Sequence, residues 1–230
     1  HVVDLARREL STSSLVDTAS WHKLPSRPYQ TEALVALRAF MSNESKHDFF
    51  CQMAMGTGKS LVVAKHIESL GSCRVAILVP SLNLLEQWRT KYFPGACLHG
   101  TGYNSLHQHE CDSSVHIAVY NSSRHLPEVV WDCIYVDEAH HVTKWRPNDP
   151  APSGSLEELV WSVRSKKRVL LSGCFGAQLD AEAVDYNYDI DKAIADGYLA
   201  DFHLHIPFVT PGRPARALAR LLAENPHTFR

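Results

Sequence analysis

The chain has 230 residues, of which 45% are hydrophobic and 21% are charged, a composition typical of globular proteins. This length suits one large α/β domain, alone or with part of another, and excludes two complete large domains. The formal net charge of -2 excludes a general basic field, so any contact with a nucleic acid must be local.

The six cysteines are scattered singly, and no two of them form a CxxC pair. This usage predicts reduced thiols and an intracellular protein of the cytoplasm or nucleus. No apolar run reaches the roughly 18 residues of a membrane span, and the N-terminus lacks the apolar core of a secretory signal, so we expect neither a membrane partner nor secretion. Because the chain begins with His1 and stops at Arg230, soon after a predicted helix, we also expect a fragment of a longer protein.

Apolar runs alternate with amphipathic segments from residue 28 onward, which predicts βαβ units and one mostly parallel sheet. The runs predicted to be strands are 48–53, 74–79, 115–119, 133–136, 168–171 and 203–206. Helical spacing of apolar residues predicts helices over 59–70, 81–92 and 155–164, with Ser81 as N-cap of the second, and a last helix reaching residue 223. The proline-rich segment 144–154 is predicted to be a surface loop.

Residues 53–60, Met-Ala-Met-Gly-Thr-Gly-Lys-Ser, follow a predicted strand and open a predicted helix, the context of a phosphate-binding loop. Gly56 and Gly58 permit the backbone N–H groups to turn toward phosphates, Lys59 can reach the β and γ oxygens, and Ser60 can offer a hydroxyl to Mg²⁺. The general pattern expects glycine at position 53, where this chain has methionine. The alternative is a glycine-rich turn that binds nothing.

Asp137-Glu-Ala-His140 ends another predicted strand, and carboxylates at that edge of a parallel sheet face the crevice where ligands bind. Asp137 is placed to hold Mg²⁺ through water, and Glu138 to orient or deprotonate the water that attacks a γ-phosphate. The alternative is an acidic helix N-terminus stabilised by the helix dipole.

With Met-Gly-Thr-Gly-Lys-Ser as motif I and Asp-Glu-Ala-His as motif II, the chain resembles the superfamily 2 DEAD/DEAH-type helicases over most of residues 24–225. Within them it is most similar to the branch of the type III restriction enzyme res subunit. The resemblance implies a RecA-like P-loop NTPase domain with helices on both faces of the sheet. It also implies ATP and Mg²⁺ as cofactors, Lys59 and Glu138 as catalytic residues of an ATP hydrolase, and Thr57 in the nucleotide-binding loop.

The same resemblance predicts the domain organisation and the partners. Residues 1–23 would be an N-terminal extension, 24–205 the first RecA-like domain, and 206–230 a linker with the start of a second such domain. The implied partners are single- or double-stranded nucleic acid, with DNA favoured over RNA, and a second RecA-like domain in cis or in trans. The alternative is a nucleotide-gated binding module without effective turnover, because that second domain is absent. An unrelated P-loop kinase would not explain motif II.

Arg27-Pro-Tyr-Gln30 resembles the family's adenine-recognising Q-type motif, in which the Gln30 amide would bind the base edge and Arg27 would lie over its face. The alternative is an ordinary helix start, because proline suits a first turn.

Two further segments resemble motifs that lie on the nucleic-acid face in this family. Residues 79–88 look like motif Ia and would contribute Pro80 and Ser81, and residues 120–123 would contribute Asn121 and Ser122. Hydroxyl groups and helix N-terminal amides can bind phosphates without reading sequence. N-capping alone is the alternative for each serine.

Residues 171–175, Leu-Ser-Gly-Cys-Phe, resemble motif III, which links the nucleotide to the strand-binding face. The implied coupling residues are His140, Ser172 and Cys174. A thiol replaces the family's second hydroxyl, and weaker hydrogen bonding by a thiol affects the coupling rather than ATP binding. Residues 188–199 look like the exit from the first motor domain, with Ile190, Ala193, Ile194 and Leu199 packing.

Fourteen histidines suggest metal binding, and residues 107–111 place potential ligands at alternate positions. No complementary pair of ligands follows at zinc-site spacing, so a solvated loop is the favoured interpretation. His203 and His205 are expected on a polar strand surface.

Overall fold

The structure is a computed structural model that describes residues 20–103, 113–142, 153–176 and 181–202. The chain divides into two compact units, His1–Leu199 and Ala200–Arg230. Every helix and strand given below lies in the first unit.

A seven-stranded sheet forms the centre of the described part of the chain. Its strands are β1 Asp48–Met53, β2 Val75–Val79, β3 Cys97–His99, β4 Val115–Val119, β5 Trp131–Val136, β6 Ser165–Ser172 and β7 Tyr186–Tyr188. They lie in the order β3-β4-β2-β5-β6-β1-β7, and each neighbouring pair is parallel. Because all strands run the same way, their carboxyl ends meet at one edge.

The α-helices are α1 Pro28–Ser42, α2 Lys59–Ser69, α3 Leu82–Lys91, α4 Leu156–Trp161 and α5 Ile190–Ala195. Short 3-10 helices cover Ser20–Lys23, Tyr120–His125, Ala139–His141 and Ala181–Ala183. Ser81 caps α3 as predicted, since its hydroxyl accepts a hydrogen bond from the backbone N–H of Leu84.

Apolar clusters cover both faces of the sheet, because successive side chains of a strand point to opposite faces. In β2, Val75, Ile77 and Val79 pack with α1, α2 and α3, while Ala76 and Leu78 pack with Val160 of α4. All five β2 residues are buried, as expected for a central strand of a parallel sheet. The α/β fold with a parallel sheet and helices on both faces is therefore confirmed.

The sequence prediction located the five longest strands and missed two short ones. The missed strands, β3 and β7, have three residues each and lie at the two edges of the sheet. The prediction that apolar residues of segment 188–199 pack is wrong for Ile190, which is 44% exposed, whereas Ala193 is fully buried. The predicted strand 203–206, the last helix and the histidine-rich segment 107–111 lie outside the described residues.

The cysteines differ in part from the expectation. Cys51, Cys73, Cys133 and Cys174 are free thiols, but Cys97 at the start of β3 is disulfide-bonded. The prediction that all six cysteines are reduced is therefore wrong at Cys97, and the cellular location stays a prediction. Within the described ranges, no helix combines the length and the apolar character needed to cross a membrane.

Candidate functional site

The predicted motifs I, II and III lie at the carboxyl ends of three neighbouring strands. The predicted phosphate loop follows β1, Asp137 follows β5, and Ser172 is the last residue of β6, which lies between these two strands. Residues between 35 and about 120 positions apart in the chain therefore meet at one edge of the sheet, as the parallel topology requires.

The loop between β1 and α2 has the backbone expected of a phosphate-binding turn. Gly56 and Gly58 have φ values of 81° and 87°, which favour glycine, and a Cβ atom at Gly58 would lie 2.7 Å from the Gln30 Nε2 atom. Lys59 begins α2, and its Nζ donates a hydrogen bond to the Met53 carbonyl at 3.2 Å. Met53, where the general pattern has glycine, is the buried last residue of β1, so its side chain packs in the core.

The Q-type residues contact this loop directly. The Gln30 Nε2 atom and the Tyr29 hydroxyl both donate to the Thr57 carbonyl, at 2.8 and 2.9 Å. The Gln30 Oε1 atom accepts the backbone N–H of Arg27 at 3.0 Å, and the Arg27 guanidinium donates to the Tyr29 hydroxyl at 3.1 Å. These hydrogen bonds join the start of α1 to the loop. They are shielded from water, since Gln30 is only 4% exposed. A contact between Gln30 and a base stays a prediction.

Asp137 is buried, and both of its carboxylate oxygens accept hydrogen bonds. The Trp88 Nε1 atom donates to Oδ2 at 3.0 Å, and the backbone N–H of Glu138 donates to Oδ1 at 3.1 Å. Burial raises the pKa of Asp137, the Glu138 charge adds to this rise, and Trp88 and Lys59 oppose it. A buried carboxylate with free lone pairs is stabilised by a nearby cation.

Glu138 has the left-handed backbone conformation, with a φ of 52°. It is the one non-glycine residue with positive φ in the part of the chain that the structure describes. Such a conformation costs on the order of 1 kcal/mol or more and is typical of functional sites. The Glu138 side chain is 24% exposed, and its Oε2 lies 3.5 Å from the Nδ1 of His140.

Motifs I and II line one cleft of about 340 Å³, which includes Lys59, Ser60, Asp137 and Glu138. A neighbouring cleft of about 400 Å³ is lined by Arg27, Gln30 and residues 56–58. The two clefts share a pair of residues that sequence reasoning missed, Lys91 and Tyr92 at the end of α3. Trp21, which lines the second cleft, was also missed. Trp88 lies in the segment predicted to be motif Ia, but its contact with Asp137 was not predicted.

The predicted coupling residues meet at the end of β6. The Nδ1 of His140 and the hydroxyl of Ser172 are 3.1 Å apart, and that hydroxyl donates to the Cys174 carbonyl at 2.7 Å. Because a hydroxyl has one hydrogen, His140 must be the donor of the first contact. Cys174 is exposed, and its sulfur accepts the backbone N–H of Gly176 at 3.2 Å. Gly173 approaches the loop, since a Cβ there would lie 3.3 Å from the Met55 side chain.

The predicted nucleic-acid residues follow two other strands of the same edge. Pro80 and Ser81 come directly after β2, and Asn121 and Ser122 follow the neighbouring β4. Asn121 is exposed, and the other three are half-buried. Ser81 acts as an N-cap, the alternative that the sequence left open, and a phosphate contact by these residues stays a prediction.

The sheet order and these motifs define a RecA-like domain of a superfamily 2 helicase. The family model described as type III restriction enzyme, res subunit, matches residues 23–173, about two thirds of the sequence, and the chain therefore belongs to that family.

Known proteins and solved structures show further similarities to this chain. The Rad25 protein of Halobacterium salinarum, named as a DNA 3'-5' helicase, is 28% identical over 189 residues, which are 76% of this chain and 30% of that protein. The ATP-dependent Type ISP restriction-modification enzyme LlaBIII bound to DNA shares the fold with a TM-score of 0.56 and 21% identity, over 78% of this chain and 16% of that one.

The Sulfolobus solfataricus SWI2/SNF2 ATPase core in complex with dsDNA has a TM-score of 0.50 and 21% identity, over 66% of this chain and 32% of that one. These structural likenesses show the fold alone. The chain spans a third or less of the length of each of these three proteins.

Proposed function

We propose that the chain binds and hydrolyses ATP with Mg²⁺ as the first RecA-like domain, residues 24–205, of a nucleic-acid helicase or translocase. The observation that carries this proposal is the single cleft lined by Lys59, Ser60, Asp137 and Glu138. A glycine-rich turn without a ligand would not need a lysine and a hydroxyl that follow β1 opposite two acids that follow β5.

ATP binding would begin with its phosphates at the loop between β1 and α2. The positive φ values of Gly56 and Gly58 permit a tight turn whose backbone N–H groups would face the phosphates, and the helix dipole favours negative charge at the start of α2. Lys59 would exchange its contact with the Met53 carbonyl for the β and γ oxygens. The base would occupy the neighbouring cleft beside Arg27 and Gln30.

Mg²⁺ would be held by Ser60 and, through water, by Asp137. Both offer oxygen donors, which Mg²⁺ prefers, and the burial of Asp137 favours a compensating cation. When bound, Mg²⁺ neutralises charge that develops on the phosphate oxygens.

Glu138 would orient the attacking water and take its proton. Its carboxylate lies in the same cleft as Lys59 and is partly exposed, so a water molecule can reach it.

The experiment that tests this function is calorimetric titration of the Lys59→Ala variant with ATP and Mg²⁺. Hydrogen bonds from a charged donor contribute about 1.5 to 3 kcal/mol each, so affinity should fall at least tenfold. Lys166→Ala is the matched control, because Lys166 lies at the opposite end of β6, is 66% exposed and pairs with Asp132. Equal affinity of the wild type and Lys59→Ala would contradict the proposal.

The nucleic-acid strand would lie along Pro80, Ser81, Asn121 and Ser122, with DNA favoured over RNA. Two of the similar structures were solved with DNA, which supports this choice of partner. Phosphate contacts predict binding that weakens with salt and depends little on base sequence. Fluorescence anisotropy with two unrelated single strands at several salt concentrations tests this, and strong preference for one sequence at fixed salt would contradict it.

The second candidate is a nucleotide-gated binding module without effective turnover, and the thiol of Cys174 in motif III favours it. Efficient hydrolysis would need a second RecA-like domain, in cis or in trans, that supplies an arginine to the γ-phosphate. Loss of such a residue costs roughly a thousandfold in rate in other phosphoryl-transfer enzymes. Robust unwinding by these 230 residues alone would refute this requirement.

A further inference from the structure

We infer that Trp88 is a positioning residue that fixes the Asp137 carboxylate for Mg²⁺ and ties it to helix α3, an inference that rests on the proposed function. The indole Nε1 donates to Asp137 Oδ2 at 3.0 Å across a separation of 49 residues. Trp88 is 1% exposed and Asp137 4% exposed, so water does not compete for this contact.

The position of the indole ring is set by its aromatic neighbours. Its centroid lies 5.2 Å from that of Tyr92 and 6.3 Å from that of Phe93, and the Phe93 ring is nearly parallel to it. Trp88 is therefore a fixed donor, and the direction of its N–H is determined by packing before any ligand arrives.

Two donors together determine the orientation of the carboxylate. Trp88 binds Oδ2, and the backbone N–H of Glu138 binds Oδ1, which leaves lone pairs on both oxygens. Without the indole donor, the Asp137 side chain could rotate about its Cβ–Cγ bond. Metal binding would then have to order this side chain, and the entropic cost would lower the affinity for the metal. Loss of a group that orients a metal ligand typically costs 10- to 100-fold in metal affinity.

Helix α3 gives this contact a further consequence. Ser81, a proposed strand contact, caps the first turn of α3, while Trp88 is near the end of the same helix and Lys91 lines the cleft. If a bound nucleic-acid strand displaced α3, Trp88 would move with the helix. Its hydrogen bond to Asp137 would then shift the carboxylate. Strand binding should therefore change the affinity for Mg²⁺.

The test is the Mg²⁺ dependence of nucleotide affinity in Trp88→Phe, measured without turnover by titrating a fluorescent ADP analogue. We expect the Mg²⁺ concentration at half-maximal effect to rise about tenfold, while nucleotide affinity in EDTA stays within about twofold of the wild type. Trp161→Phe is the matched control, because its indole donates to the Val142 carbonyl at the same distance of 3.0 Å. It should leave both quantities unchanged.

The outcomes separate this inference from the proposed function. Wild-type protein that binds no nucleotide would refute the function itself. Wild-type protein with Mg²⁺-dependent binding that a folded Trp88→Phe variant reproduces would overturn the inference alone. Equal losses with Mg²⁺ and in EDTA would also overturn it, since they would indicate a general disturbance of the cleft.

A second measurement needs no substitution at Trp88. In nitrogen-15 NMR spectra of the wild type, the Trp88 indole signal can be assigned by elimination from phenylalanine variants of the other four tryptophans. Addition of Mg²⁺ to the ADP-bound protein should shift this signal, because a cation near Asp137 weakens the carboxylate as an acceptor. An unshifted signal under saturating Mg²⁺ would overturn the inference.

Discussion

Replacement of Gln30 by alanine distinguishes two possible roles of this side chain. It can support the phosphate loop through its hydrogen bond to Thr57, or it can recognise the base of the nucleotide. The substitution removes the hydrogen bond from Nε2 to the Thr57 carbonyl at 2.8 Å and that from the Arg27 N–H to Oε1 at 3.0 Å. Each neutral hydrogen bond contributes about 1 kcal/mol net, so the free energy of unfolding should fall by about 2 kcal/mol. The Thr57 carbonyl would keep the Tyr29 hydroxyl, which limits the loss.

The assays are urea unfolding and calorimetric titration with ATP and with GTP. If Gln30 only supports the loop, affinity for ATP and for GTP should fall by a similar factor; if its second Nε2 hydrogen and second Oε1 lone pair also bind adenine, affinity for ATP should fall more. Gln52→Ala is the matched control: its amide also makes two hydrogen bonds, to Phe175 N and Asn187 at 3.1 Å, and neither involves the loop. Unchanged stability together with a selective loss of ATP affinity would refute the supporting role of Gln30 in the loop and would favour recognition of the base.

Three further predictions concern the acids, the coupling and pH. Glu138→Gln should leave ATP and Mg²⁺ binding nearly intact while abolishing hydrolysis, since an amide can hold a water molecule but cannot take its proton; equal loss of binding and turnover would make Glu138 structural. Ser172→Ala removes the contact with His140 and should reduce stimulation of ATPase activity by a strand without weakening ATP binding; unchanged stimulation in a phosphate-release assay would contradict the coupling role. Burial lowers the pKa of His66 from 6.5 to about 4. The folded state therefore binds fewer protons than the unfolded state, and stability that is complete above pH 6.5 should fall by about 3 kcal/mol as pH drops toward 4. Urea unfolding of the wild type and His66→Gln across this range measures the effect, and identical slopes would exclude His66 as the cause.

The fold class and the main candidate residues could be predicted from local patterns. A buried parallel strand is a short run of apolar residues, and a phosphate loop is a contiguous segment with glycines at fixed positions. The segments 48–53 and 115–119 were therefore predicted with the bounds that β1 and β4 have in the structure. The same patterns predicted that Asp137 and Lys59 would lie at one edge, because parallel strands share that edge.

The sequence by itself thus determined the order of the elements and the chemical groups at the ends of the central strands, since both depend on residues close together in the chain. Only the tertiary structure decided which partners those groups have. The contact of Trp88 with Asp137 and that of Gln30 with Thr57 join residues 49 and 27 positions apart, and they depend on how α3 and α1 pack against the sheet. The edge strands β3 and β7 also depend on tertiary contacts. Three residues contain too little periodicity to predict a strand, and each of these segments is a strand because it forms hydrogen bonds with a neighbouring strand.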